Sequence, residues 1–135
     1  MIVAQPDLTE LVENFQLFED WEERYRYLID LGKALPPMDE ALKNDETFVK
    51  GCTSQVWLFS QKDEQGLYHF IGDSDAHIVR GLIAVLFAAF QGKSVEEIAS
   101  VDIKAAFEEI GLNQHLSPNR RNGFFSMVER IKLLT

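Results

Sequence analysis

Apolar residues at Leu8, Leu11, Val12 and Phe15 recur at i, i+3, i+4 and i+7, which predicts a helix over residues 7–18 with one buried face. Pro6 and Asp7 supply a start signal. A second stripe of Trp21, Tyr25, Leu28 and Leu31 or Gly32 predicts another helix. Asp20 is placed to cap it, and Glu22 and Glu23 sit in the first turn, where the helix dipole favours negative charge. Gly32 and the pair Pro36-Pro37 predict its end. Pro36-Pro37-Met38 reads as an extended connector, residues 39–42 as a helical turn and residues 44–47 as loop. The period then shortens to two. Phe48-Val49 is expected to pair briefly as a short strand. Residues 55–61 and 67–72 read as strands joined by the polar turn 62–66, an antiparallel hairpin. Val56, Leu58 and Ser60 share one face, and Trp57 and Phe59 the other, so both faces expect partial cover. His69 alternates with Tyr68 and Phe70 and reads as a polar-face strand residue, not a ligand.

Residues 75–90 are apolar on most sides, which predicts a helix at the centre of the fold, with Asp73-Ser74 as its cap. Gly92-Lys93 would end it. Ser94 opens a short helix, and residues 101–109 form another, stopped by Gly111. Residues 113–116 read as loop. Ser117-Pro118 places a hydroxyl at N-cap and proline at N1 of a last helix, whose buried stripe is Phe124, Met127, Val128 and Ile131. The expected architecture is a single α+β domain over residues 1–135, a small antiparallel sheet flanked by helices.

Composition narrows the function classes. With 22 acidic and 13 basic residues the net charge is −9, the wrong sign for a nucleic-acid backbone. The same charge would suit a basic partner surface, and solubility alone would also explain it. The apolar run at 78–90 is too short to span a bilayer. The single cysteine forbids an internal disulfide, and the N-terminus lacks a basic n-region, so a reducing cytoplasmic setting is expected.

That cysteine is Cys52, in the stretch Phe48-Val49-Lys50-Gly51-Cys52-Thr53-Ser54-Gln55-Val56-Trp57. Gly51 marks a turn, so Cys52 is expected in a tight loop feeding the first strand. Hairpin pairing brings the start of one strand beside the end of the other. Cys52 should therefore lie near Asp73-Ser74-Asp75 and the start of the central helix. A helix N-terminus lowers a thiol pKa, whereas burial and neighbouring carboxylates raise it. The residues alone leave that sign open. They also leave open whether Cys52 reacts or packs as a small hydrophobe.

The words around the thiol resemble the cysteine loop of SufE-type sulfur acceptors, including the CsdE branch. Two further stretches are similar to the same family: Gly72-Asp73-Ser74-Asp75-Ala76-x-Ile78-Val79-x-Gly81-Leu82-Ile83-Ala84, and Gln114-His115-Leu116-Ser117-Pro118-x-Arg120-x-Asn122-Gly123. The three stretches run in the family's order. The resemblance implies a fold shared with IscU-type scaffolds, with about three strands covered by helices. It implies that Cys52 takes persulfide sulfur from a cysteine desulfurase, of the SufS or CsdA kind, and passes it on for iron–sulfur cluster assembly. The chain would be an accessory protein and not an enzyme. It would carry no cofactor and no metal of its own, the pyridoxal phosphate residing on the partner. It would bind neither nucleic acid nor membrane, and would be a monomer or weak homodimer. Gly51 gives the loop room to extend and retreat, and Ser54 and Gln55 hold it by hydrogen bonds. Asp75 either positions the loop or serves the helix start. Arg120 pairs with an aspartate, steadies a sulfur anion or is simply solvated. His115 either shuttles a proton or fixes its own loop.

Other chemistries fit less well. Cys52, His115 and Asn122 supply the residue types of a cysteine protease or acyl transferase, but no recognisable nucleophile motif surrounds the thiol. A thioredoxin-like reductase needs a second cysteine, and one thiol holds neither a cluster nor a zinc ion alone. The non-chemical rival is an acidic adaptor in which Cys52 only packs.

Overall fold

The structure, a computed structural model, describes residues 7–52 and 54–135. Pro6, half of the expected first helix start, lies outside the described residues. The elements are α1 (Leu8–Gln16), α2 (Trp21–Lys33), a 3-10 turn (Glu40–Leu42), β1 (Val56–Lys62), β2 (Tyr68–Ser74), α3 (His77–Phe90), α4 (Val95–Ser100), α5 (Ile103–Ile110), α6 (Leu112–His115) and α7 (Pro118–Leu133). This is the expected α+β class.

The core is built on α3, where all but His77, Arg80 and Ala88 are buried. The buried faces of α1, α5 and α7 join it in one cluster: Leu11 and Phe15, Phe107 and Ile110, Phe124 and Ile131. Asp7, Asp20, Ser94, Asp102 and Ser117 each accept a backbone N–H as N-caps, and Ser94 forms a reciprocal capping box with Glu97.

The α2–α3 crossing corrects one expectation. Gly32 does not stop α2; it is buried within the helix. A Cβ there would sit 2.6 Å from the Gly81 nitrogen, and one on Gly81 would collide with the Leu28 carbonyl. Each glycine is therefore a contact that lets two backbones meet. The helix ends one residue on, at Lys33, with Ala34 as a right-handed cap before Pro36-Pro37.

The sheet among the described residues has two strands, not about three. β1 and β2 pair antiparallel from Val56 opposite Ser74 to Lys62 opposite Tyr68. Phe48-Val49 does pair, but only as a bridge: Val49 N–H donates to the Val56 carbonyl and Leu58 N–H to the Thr47 carbonyl, each at 2.8 Å. The chain turns away on both sides of this bridge. The Asn44 side chain accepts from the Glu46 and Thr47 N–H groups, and Gly51 takes a φ of +91°.

Two local readings also change. β2 runs on to Ser74, so Asp73 and Ser74 are buried strand residues and not the α3 cap. α3 starts at His77 behind Ala76, which has no capping side chain. The Asp73 carboxylate is already engaged by Arg80 and Lys43. Of residues 113–116, expected as loop, 113–115 belong to the single turn α6, made possible by the left-handed Gly111 (φ +92°) that closes α5. His69 is exposed in β2 and bonds Asp63 of the hairpin turn at 2.8 Å, as a polar-face residue should. No helix among the described residues is long and apolar enough to cross a membrane.

Candidate functional site

Cys52 lies where the hairpin stem, α3 and α7 meet. Gly51 must be glycine twice over: its φ is left-handed, and a Cβ would stand 2.7 Å from Ser126 Oγ of α7. That close approach lays the next residue on α7. The Cys52 thiol donates to the Gly123 carbonyl, Sγ to O 3.5 Å. Gly123 presents no side chain to the sulfur, and a Cβ there would lie in ordinary contact with Sγ at 3.6 Å.

A cavity of about 220 Å³ opens beside the thiol. Its apolar wall is Val79 and Leu82 from α3 with Phe124 and Met127 from α7. Its polar rim is Ser54 of the loop with Ser117, Asn119 and Arg120 from the start of α7. Cys52 itself is half-buried, and burial pushes its thiol pKa up. Of the opposed influences read from the sequence, desolvation prevails, so the thiol rests protonated.

The trailing arm of the loop is held by Asp75. Its carboxylate accepts the Gln55 N–H at 3.0 Å, and its own N–H donates to the Gln55 carbonyl at 3.3 Å. Asp75 thus bonds the loop and not the helix start. Gln55 serves through its main chain, Ser54 through its place on the cavity rim. Arg120 is exposed and reaches that rim. His115 does not line the cavity: it stacks flat on Trp21, centroids 4.4 Å apart and planes 9° apart. Thr53 lies outside the described residues.

Sequence reasoning did not name the residues of the apolar wall and gave Gly123 no role in the site. Val79, Leu82, Phe124 and Met127 read as core, and only the docking of α7 against α3 turns part of that core into a cavity lining. Among the described residues no group of three or more His, Cys, Asp or Glu is placed to hold a metal ion.

Comparison with known proteins places the chain in a family. Residues 9–135 match the SufE family, described as the Fe-S metabolism associated domain. The chain is 48% identical over 128 residues to an uncharacterized SufE-like protein of Rhizobium etli, covering 93% of this chain and 86% of that one. A second uncharacterized SufE-like protein, from Rhizobium meliloti, is also 48% identical over 128 residues, covering 93% of this chain and 91% of that one. In fold, the chain resembles the solution structure of a hypothetical protein from Thermus thermophilus, with a TM-score of 0.76 over 98% of this chain and 95% of that one at 19% identity. The chain belongs to the SufE family and is a protein of Fe–S metabolism.

Proposed function

We propose that Cys52 is a sulfur acceptor that takes the terminal sulfur of a persulfide carried by a pyridoxal-phosphate-dependent cysteine desulfurase. The observation that carries the reading is the setting of the chain's one thiol. It sits half-buried in a short loop, with a partly open cavity beside it and a glycine backbone behind it.

The chemistry asks for a thiolate, an in-line approach and later shelter. The Cys52 thiolate attacks the sulfane sulfur of the donor persulfide. The new S–S bond forms on Cys52 as the donor's S–S bond breaks, and the donor cysteine leaves as a thiolate. The proton that Cys52 gave up goes to that leaving thiolate. One disulfide-type bond replaces another, so no outside oxidant or reductant is needed. In the resting loop, burial keeps the thiol protonated. Extending the loop toward the donor removes that burial and lets the thiolate form where it is needed. Retraction returns the persulfide to the cavity, with Val79, Leu82, Phe124 and Met127 excluding water and Arg120 at the rim facing a sulfur anion.

In this reading the chain is an accessory protein. It raises the desulfurase's turnover by removing sulfur and hands that sulfur to a scaffold for cluster assembly in the cytoplasm. The pyridoxal phosphate stays with the donor. Gly51 supplies the turn and Asp75 with Gln55 steadies the trailing arm. His115 fixes α6 against Trp21 and takes no part in proton transfer.

The test is intact-protein mass after incubation with a cysteine desulfurase, free cysteine and pyridoxal phosphate, beside Cys52→Ser. The expected result is gain of one or more sulfur atoms by the wild type, loss of that mass on reduction, and no gain by the variant. If neither protein gains sulfur and turnover is unchanged with more than one desulfurase, Cys52 only packs.

A further inference from the structure

The charged groups buried nearest the loop have no part in the chemistry above. Asp73 is only 7% exposed, and both its oxygens are engaged: Oδ1 accepts from Arg80 Nη1 at 2.6 Å, and Oδ2 pairs with Lys43 Nζ at 3.0 Å. Arg80 is also tied to the end of α2, donating to the Gly32 and Leu35 carbonyls. Lys43 lies over the Trp57 ring, 5.1 Å from its centroid. Trp57 stands opposite Asp73 in the hairpin register, and Phe48 packs edge-on against it at 6.4 Å. One ammonium group therefore fastens the segment that leads into the loop to both strands behind it, four residues before Cys52 in the case of Phe48.

We propose that Lys43 and Asp73 are positioning residues for Cys52: their ion pair, seated on Trp57, latches the leading arm of the loop so that the thiol rests against Gly123, and its release frees the thiol to swing out. The pattern of partners is that of a latch and not of a fixed bolt. Removing one partner from a desolvated pair is costly because it strands the other. Here neither charge is stranded when the arm leaves. Asp73 keeps Arg80, and Lys43 keeps Glu40, its exposed partner at 3.1 Å. Opening also parts the Val49–Val56 and Thr47–Leu58 backbone bonds that pin the same arm, but at the ion pair it loses one charge-assisted hydrogen bond and the contact with Trp57 and leaves no bare buried ion. The trailing arm has its own tie in Asp75 and Gln55, so the latch acts on the leading arm alone.

The test follows alkylation of Cys52 by iodoacetamide in the native, full-length protein, with hydrogen exchange of the α3 amides measured in parallel. Lys43→Met is the informative variant, since it removes the charge and leaves Asp73 paired with Arg80. Lys43→Arg retains the pair, and Glu40→Gln removes only the solvent-side partner. Lys43→Met is expected to react about tenfold faster, as ~1.4 kcal/mol of weakened closure would produce, with α3 exchange unchanged. Lys43→Arg and Glu40→Gln should stay near the wild-type rate. A wild-type rate for Lys43→Met overturns the latch. So does a faster rate matched by equally faster α3 exchange, because that is general loosening. The purpose of the latch rests on the acceptor reading, but this readout needs no donor. Should Lys43→Met expose Cys52 while the wild type gains no sulfur, the acceptor reading falls and the latch stands.

Discussion

On the proposed acceptor reading, Cys52 must be nucleophilic when a donor is present and quiet otherwise, and its surroundings would separate the two conditions. Against Gly123 and the apolar wall it is desolvated, which raises its pKa and holds the proton on sulfur. A group whose folded pKa lies above its unfolded value stabilises the fold fully below the unfolded pKa. That contribution is lost as pH rises through the folded value. Alkaline pH should therefore loosen the loop, while neutral pH keeps it seated. The rate of Cys52 alkylation against pH, measured in buffer and again in denaturing urea, is expected to show a higher midpoint for the native protein. A native midpoint at or below the denatured one would mean that the α3 start or Arg120 outweighs burial, and that the resting thiol is already primed.

At the scale of elements, the chain's local signals and its packing speak with different authority. The alternation Val56-Trp57-Leu58-Phe59 and the 3.6-residue stripe of α7 were readable, because each element buries the face its own period defines. Gly32 was not. A glycine shortly before Pro36-Pro37 has the local look of a helix stop, and what holds it inside α2 is Gly81, on another helix and far along the chain. Likewise the third strand shrank to one bridge because Asn44 and Gly51 turn the chain on either side, and β2 lengthened because buried Asp73 finds two cations to pair with. The α2–α3 crossing makes a sharp prediction. Gly81→Ala places a methyl on the Leu28 carbonyl, and main chain cannot rotate away as a side chain can. The variant should lose about 3 kcal/mol, the upper end for overpacking, in urea unfolding followed by far-UV circular dichroism. Gly92→Ala is the comparison: nothing lies within 4 Å of its Cβ, although its φ of +70° also disfavours alanine, so the excess loss at Gly81 reports the crossing itself. Equal losses would show that the helices can move apart freely.

At the scale of the whole molecule, the candidate site is made by parts distant in sequence. The hairpin alone announced that the Cys52 loop would lie near Asp75, and the structure joins them through Gln55. The cavity also needs α7, whose Gly123 lies 71 residues from the thiol it touches, and no periodicity reveals that docking. His115 shows the limit from the other side, since it belongs to the same quoted stretch as Arg120 yet packs away on Trp21. What the sequence does state for the entire molecule is its charge of −9. Asp39, Glu40, Asp45 and Glu46 are exposed on the segment entering the loop, and Asp75 is exposed beside its exit. If the donor meets the chain here, its surface must be basic, and encounter should be steered by charge. Raising salt from about 0.1 M to about 1 M shortens the screening length from about 10 Å to about 3 Å. The association rate with a cysteine desulfurase, measured by stopped-flow with a labelled chain, should then fall roughly tenfold or more, while dissociation changes little. The sulfur-transfer step within the complex, followed by single-turnover mass analysis, should keep its rate, since it happens in a site that salt does not reach. An association rate indifferent to salt would assign the negative charge to solubility and leave shape alone to bring the donor to Cys52.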